Sequence, residues 1–294
     1  MGLEFLVSNE DYIATYDCGL EFWQDYREAR QLREQGNSYD KIARLLNRPV
    51  SAVYAWTAKE GKPRCVKGLE QAQELEITPL ESNSEKAQAL NKLASWVFWT
   101  GTLSKVYGIS ISEKPERLKE LKTYFEKTLE LEGLCMKDEN RHFLRFKKDS
   151  HIYGRVLRCM GIFTGLKSKQ EMHIPQAIMK TPESYTDFLQ VLFATRSRMH
   201  EYADNMTLHL MVNRLEERAE EFGKEMIKFI NKALPEMHIP EQNLSIQQHE
   251  VQLRKKYTNY EPRIYLYKEQ MTELRKNYPR LAEIIPVSAD RISP

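Results

Sequence analysis

The sequence predicts an α+β protein: a small, basic, helical N-terminal unit, then a larger unit in which one order of helices and strands occurs twice. Three observations predict it. Between Arg27 and Lys67 stand ten Lys/Arg against four Asp/Glu, whereas the whole 294-residue chain carries only +2, so the remainder is mildly acidic. Within that basic stretch, apolar residues recur at helical spacing. Finally, two runs, Leu90–Ser112 and Ile174–Tyr202, each read as an apolar helix turning directly into a strand.

Hydrophobic content of 41% and charge of 29% are ordinary for a globular chain, and the length suits one small and one large domain. The opening MGLEFLVSNEDY lacks a basic segment followed by an apolar run, so no signal peptide is expected, and no apolar run is long enough to span a membrane. Cys18, Cys65, Cys135 and Cys159 are scattered without a CxxC pair, and they read as free thiols of a reducing cytoplasm with no zinc site. The seven His residues show no ligand spacing, and no cofactor is expected.

The first element is a helix over about Leu20–Gln35. Ser38 then caps a short helix with Ile42, Ala43, Leu45 and Leu46 as its apolar face. Asn47-Arg48-Pro49 breaks that helix, because Asn tolerates the left-handed conformation of a tight turn. A further helix starts near Ser51 with Val53 and Trp56 facing inward. Ala43 lies four before Asn47 and ten before Val53, a spacing that resembles the helix-turn-helix family, with Asn47 where Gly is usual. The resemblance implies a second helix docked in the major groove, with Arg48, Ser51, Ala52, Tyr54 and Ala55 near bases or phosphates. It also implies Lys59, Lys62, Arg64 and Lys67 along the DNA backbone. The other reading is a helical subdomain with no DNA role.

Residues 1–68 form this unit, and 69–84, with Pro79 and the polar Glu81–Ser84 stretch, read as a linker. The larger unit divides into repeats over 85–172 and 173–288. In the first, a helix from Lys86 precedes a strand near Thr102, with Leu103, Tyr107, Ile109 and Ile111 at period two. A helix over Pro115–Leu131, a strand over His142–Lys147 and a helix over Ser150–Met160 follow. The second repeat reads as a helix over Pro182–Ala194, a strand entered through Thr195-Arg196-Ser197, a helix over Val212–Ala233, a strand over Arg263–Tyr267 and a helix over Glu269–Tyr278. The order in each repeat is αββαβα. Met237–Pro262 has room for more than one strand and a loop. The acidic Glu216–Glu225 stretch reads as the solvent-facing back, and Trp96, Phe98 and Trp99 as core, the alternative being stacking platforms for bases.

The two runs resemble the signature helices of LAGLIDADG homing endonucleases. The segment between them, GIFTGLKSKQEMHIPQAI, is similar to that family's connector at Gly161, Gly165, Lys167, Ser168, Ile174 and Pro175. The resemblance implies two helices side by side at the centre, each presenting one acid to a shared divalent metal, and two sheets forming a saddle on DNA. This chain departs from the pattern at the acids: Thr100 and Arg196 hold their places. Mg²⁺ needs carboxylate, phosphate and water oxygens, and Arg is an obligate cation. No metal and no strand cleavage are therefore expected, and Arg196 is expected to neutralise a phosphate instead. Lys105, Arg145, Lys147, Arg198, Arg254, Lys255 and Lys256 are candidates for a DNA-facing sheet.

The reading is a sequence-specific double-stranded DNA-binding protein, a transcription regulator, cytoplasmic and nucleoid-associated. It is expected to be monomeric, because one chain holds both half-saddles. Two alternatives stay open: an endonuclease or RNA maturase with displaced acids, and a scaffold whose DNA face now holds a protein.

Overall fold

A computed structural model describes residues 5–59, 61–139, 141–147, 149–199, 206–211, 213–236, 244–253 and 257–277. Its N-terminal part comprises β1 (Phe5–Val7), α1 (Asn9–Ala14), α2 (Gly19–Glu34), α3 (Tyr39–Leu45), α4 (Val50–Thr57), α5 (Arg64–Glu74) and β2 (Leu80–Glu81). Ser8 and Asp11 form a reciprocal capping box on α1, and the Ser38 hydroxyl accepts from the Lys41 N–H at the start of α3. Asn47 takes the left-handed φ of 50° that the tight turn before α4 requires. Ile42, Ala43, Val53 and Trp56 are buried where α2, α3 and α4 meet.

One expectation needs correcting here. Leu45 is 60% exposed rather than part of the apolar face. On a seven-residue helix whose Ile42 and Ala43 point inward, Leu45 falls on the opposite side. Residues 69–84, read as a linker, hold the end of α5 and the strand β2. Leu69 and Ala72 are buried on α5, and β2 pairs antiparallel with β1.

The larger part contains α6 (Glu85–Trp99), β3 (Gly101–Leu103), β4 (Ile109–Ser112), α7 (Pro115–Leu129), β5 (Gly133–Lys137), β6 (His142–Phe146) and α8 (Ser150–Cys159). The same order then returns as α9 (Pro182–Arg196), β7 (Ser197–Met199), β8 (Met206–His209), α10 (Glu216–Glu236), β9 (Ser245–Leu253), β10 (Tyr257–Leu266) and α11 (Lys268–Asn277). Each repeat is thus αββαββα and not αββαβα. The missing strand in the first repeat is β5, where only Gly133 is buried and the next four residues face out, so it carries no period-two core signal.

Each repeat builds one antiparallel four-stranded sheet, ordered β3-β4-β6-β5 and β7-β8-β10-β9. Helices cover one face of each sheet, with Leu103, Ile109, Ile111, Leu144 and Phe146 buried in the first and Leu208, Ile264 and Leu266 in the second. The central helices α6 and α9 pack on each other, and their rings interlock: Phe98 and Trp99 each stand 5.1 Å from Phe188, centroid to centroid. Trp96, Phe98 and Trp99 are therefore core. Glu216, Glu217, Glu220 and Glu221 face solvent on α10. Among the described residues no helix is long and apolar enough to cross a membrane.

Candidate nucleic-acid interface

The two central helices are built alike. Each has 15 residues and a hydroxyl N-cap, from Ser84 on α6 and Thr181 on α9. From the middle of α6 the buried Asn91 amide donates at 2.9 Å to the hydroxyl of Ser184, near the start of α9. Each then passes directly into the first strand of its sheet. Gly101 makes that passage possible for α6, because a Cβ there would stand 2.5 Å from the Ser110 carbonyl oxygen and 2.8 Å from the Val97 Cα.

Thr100 and Arg196 occupy equivalent places, each immediately before the first strand residue of its repeat. Thr100 turns inward on its own helix, its hydroxyl donating to the Trp96 carbonyl at 3.3 Å. Arg196 crosses to the other helix and donates to the Trp99 carbonyl, while its buried Nε has no partner among the described residues. Lys167, from the connector, reaches the same helix end, where its ammonium donates to the Val97 carbonyl at 2.7 Å and to that of Phe98. Successive carbonyls at the C-terminus of α6, orphaned by the end of the helix, thus accept from two cations.

The electrostatics follow from that packing. Burial lowers the pKa of the Lys167 ammonium, and the Arg196 charge lowers it further. The carbonyls and the negative end of the helix oppose both effects. Burial also lowers Arg196, against which Glu261 and Glu113 favour its charge. The residues present do not fit a divalent cation: a hydroxyl bonded to its own helix and two cations offer no anionic ligand. Among the described residues no group of three or more His, Cys, Asp or Glu is placed to hold a metal.

The helix-free faces of the sheets are polar and matched. On the first, register sets Thr102, Ser110, Arg145 and Leu134 in one row, with Thr102 and Ser110 bonded at 2.7 Å. On the second, Arg198, Thr207 and Tyr265 make the equivalent row, followed by His209 beside Arg263. Glu261 ties that face together, accepting from Arg263 at 2.8 Å and standing 3.0 Å from the His209 ring. Lys105 sits exposed in the β3–β4 turn, and Lys147 pairs with Glu132 at 3.4 Å. Arg254, Lys255 and Lys256 lie outside the described residues.

On the N-terminal unit, Ser51, Tyr54 and Lys59 are exposed along one side of α4 and just beyond it, with Ala52 and Ala55 half-buried. Lys59 lies over the Tyr54 ring, 5.5 Å from its centroid. Arg64 and Lys67 are exposed on α5, and Lys62 is paired with Glu70 at 2.6 Å. Arg48, expected near bases or phosphates, is engaged within the unit. Its guanidinium is spent on Asp25 at 2.6 Å and on Glu21, and it lies over Phe22, bracing the turn against α2.

Sequence reasoning missed His209, Glu261, Arg263 and Tyr265. The alternation Glu261, Arg263, Tyr265 against Pro262, Ile264, Leu266 was the available signal, and it marks β10 as a half-buried strand. Lys167 was visible only as a connector position.

No protein-family profile matches the chain, and no curated protein matches it by sequence. Among solved structures it is similar to LAGLIDADG proteins. One is the N-terminal LAGLIDADG domain of DUF199/WhiA, at 14% identity over 75% of this chain and 92% of that one, with a TM-score of 0.36. Full-length DUF199/WhiA from Thermatoga maritima gives 16% identity over 75% of this chain and 61% of that one, also at 0.36. The homing endonuclease I-WcaI bound to its DNA recognition sequence gives 10% identity over 76% and 93%, at 0.42. At these identities and scores none assigns a role to a residue of this chain.

Proposed function

We propose that this chain is a duplex DNA-binding protein, a transcription regulator in which a helix-turn-helix is joined to a LAGLIDADG-type saddle that does not cut. The observation that carries the reading is the absence of acids at the two helix ends. Thr100 and Arg196 stand before the first strands, and Lys167 and Arg196 bond the α6 carbonyls there, where phosphodiester cleavage would need acids to hold a metal. Arg145 and Arg198 on those faces, and Ser51, Tyr54 and Lys59 on the N-terminal unit, are the groups proposed to meet DNA.

A second reading has its own observation. Leu134 and Met136 are 45% and 38% exposed on β5, beside Phe143, a surface suited to a protein. The deciding experiment is selection from a random duplex library with Mg²⁺ present, sequencing both bound and cut molecules. Enriched, uncut duplexes with a long asymmetric motif are expected. Cut ends would overturn the non-cleaving assignment, and absence of enrichment would transfer the weight to the protein-binding face.

A further inference from the structure

Away from the helix ends, a cavity of about 760 Å³ opens where the N-terminal unit meets the first repeat. That size falls in the range of small-molecule sites, roughly 300–1,000 Å³. Its walls come from separate parts of the chain: the α1–α2 turn, α4, the start of α5, the β3–β4 turn and α8.

Arg155, only 7% exposed, is among its lining residues. The guanidinium lies between two rings, 3.4 Å from the Tyr16 centroid and 4.2 Å from that of Tyr107. One terminal nitrogen donates to the Thr15 carbonyl at 2.6 Å and to its hydroxyl at 2.9 Å. Its Nε is buried without a partner among the described residues. Arg64 and Lys105 line the same cavity from opposite sides of the joint. Among the described residues none of these three cations has an ion-pair partner. Among the described lining residues Asp17 is the only carboxylate, and it is exposed. The rings and the Thr15 oxygens hold this buried cation but leave its charge without a counter-charge among the described residues, and an anion in the cavity would supply one.

An inorganic anion alone would leave much of the cavity unfilled. Trp56, Phe22 and the two tyrosines give it an aromatic wall, against which a planar ring is held by stacking. His151 belongs to the same wall. Burial first and then the Arg155 charge lower its pKa, with Asp149 opposing and Arg64 reinforcing; a bound anion would reverse the cationic contribution.

We propose that this cavity binds a small organic phosphate of the nucleoside monophosphate class, its ring on the aromatic wall and its phosphate on Arg64, Lys105 and Arg155. Bound there, it bridges the N-terminal unit and the first repeat. It is thereby an effector that sets how firmly the two are held together. The binding stands apart from the DNA-binding reading, on which only its regulatory consequence rests.

The test is calorimetric titration of the full chain, without DNA, using AMP, adenosine and inorganic phosphate as separate probes. AMP is expected to bind at one site, with adenosine and phosphate each weaker by roughly tenfold or more. The double variant Arg64→Ala, Lys105→Ala changes two exposed side chains, so it should keep its melting temperature and lose at least about tenfold in AMP affinity. Arg155→Lys, which keeps the charge but not the fork, should weaken AMP less than Arg155→Met. The proposal is overturned if AMP shows no binding at millimolar concentration, or binds the double variant as well as the parent. A parallel arm measures duplex DNA. If the double variant loses DNA affinity while AMP binds nothing, the cavity holds DNA backbone and the free-nucleotide site is wrong. AMP binding without any duplex binding would instead sink the DNA-binding reading and leave this site standing.

Discussion

Arg48 shows how a single side chain is engaged by its surroundings. Its position after the turn suits a DNA contact, yet Asp25 and Glu21 on α2 hold it, and those hydrogen bonds are charge-assisted. Arg48→Ala is expected to cost the N-terminal unit about 1–3 kcal/mol, read by chemical denaturation, because it strands the half-buried Asp25. A loss below about 0.5 kcal/mol would mean the brace contributes nothing beyond a surface pair. At the helix ends the informative change is Thr100→Asp with Arg196→Asp. The pair is expected to create measurable Mg²⁺ binding by calorimetry, and adding Lys167→Met should tighten it by removing the remaining cation. A folded double variant without Mg²⁺ affinity would count against the reading that Thr100 and Arg196 stand where the resembled family has its acids.

At the scale of elements, the caps and turns are local and the packing is not. Trp56 lies 8% exposed with its ring edge-on to Tyr26 of α2, 6.3 Å between centroids. Trp56→Ala should destabilise the N-terminal unit by about 3–5 kcal/mol in a denaturant titration. The α6–β3 passage makes a second demand. Gly101→Ala forces a Cβ into the backbone of β4 and of α6 itself, so the helix or the strand must shift. An expected cost of about 1–3 kcal/mol would show as a lowered melting temperature, and an unchanged one would mean the junction relaxes freely.

For the whole molecule, a DNA face distributed over α4 and two sheets predicts a steep salt dependence. Affinity for a selected duplex should fall roughly tenfold or more from low to physiological salt, whereas a protein-binding face would change little. The second sheet adds a pH dependence of stability. Burial lowers the pKa of His209, assisted by Arg198 and Arg263 and opposed by Glu261. Burial raises Glu261, but hydrogen bonds from Arg263 and His209 outweigh it, leaving that carboxyl lowered. A lowered histidine favours the fold fully above its unfolded pKa of about 6.5, and that contribution fades as pH falls below it. A lowered carboxyl acts likewise through the carboxylate range. The melting temperature should therefore be level above neutrality and drop on acidification, and His209→Gln should remove the first part of the drop.

The sequence by itself determined helices α2 to α4 and those of the two repeats, the Ser38 cap, the left-handed Asn47 turn and the duplication, while α1 and α5 went unread. Each depends on neighbours within a few residues: a hydroxyl three before an N–H, apolar side chains at period 3.6, a helix meeting a strand. It also placed Thr100 and Arg196 before the first strands, since helix and strand boundaries follow from those local signals. Only the tertiary structure decided what these groups meet. Lys167 reaches carbonyls 69 and 70 residues away, and Arg155 reaches Thr15 across 140. The strand β5 stayed hidden because it buries a single residue, and Glu261 found His209 only through sheet register. Charge and packing partners of this kind are set by chain closure over long separations, which no local pattern encodes.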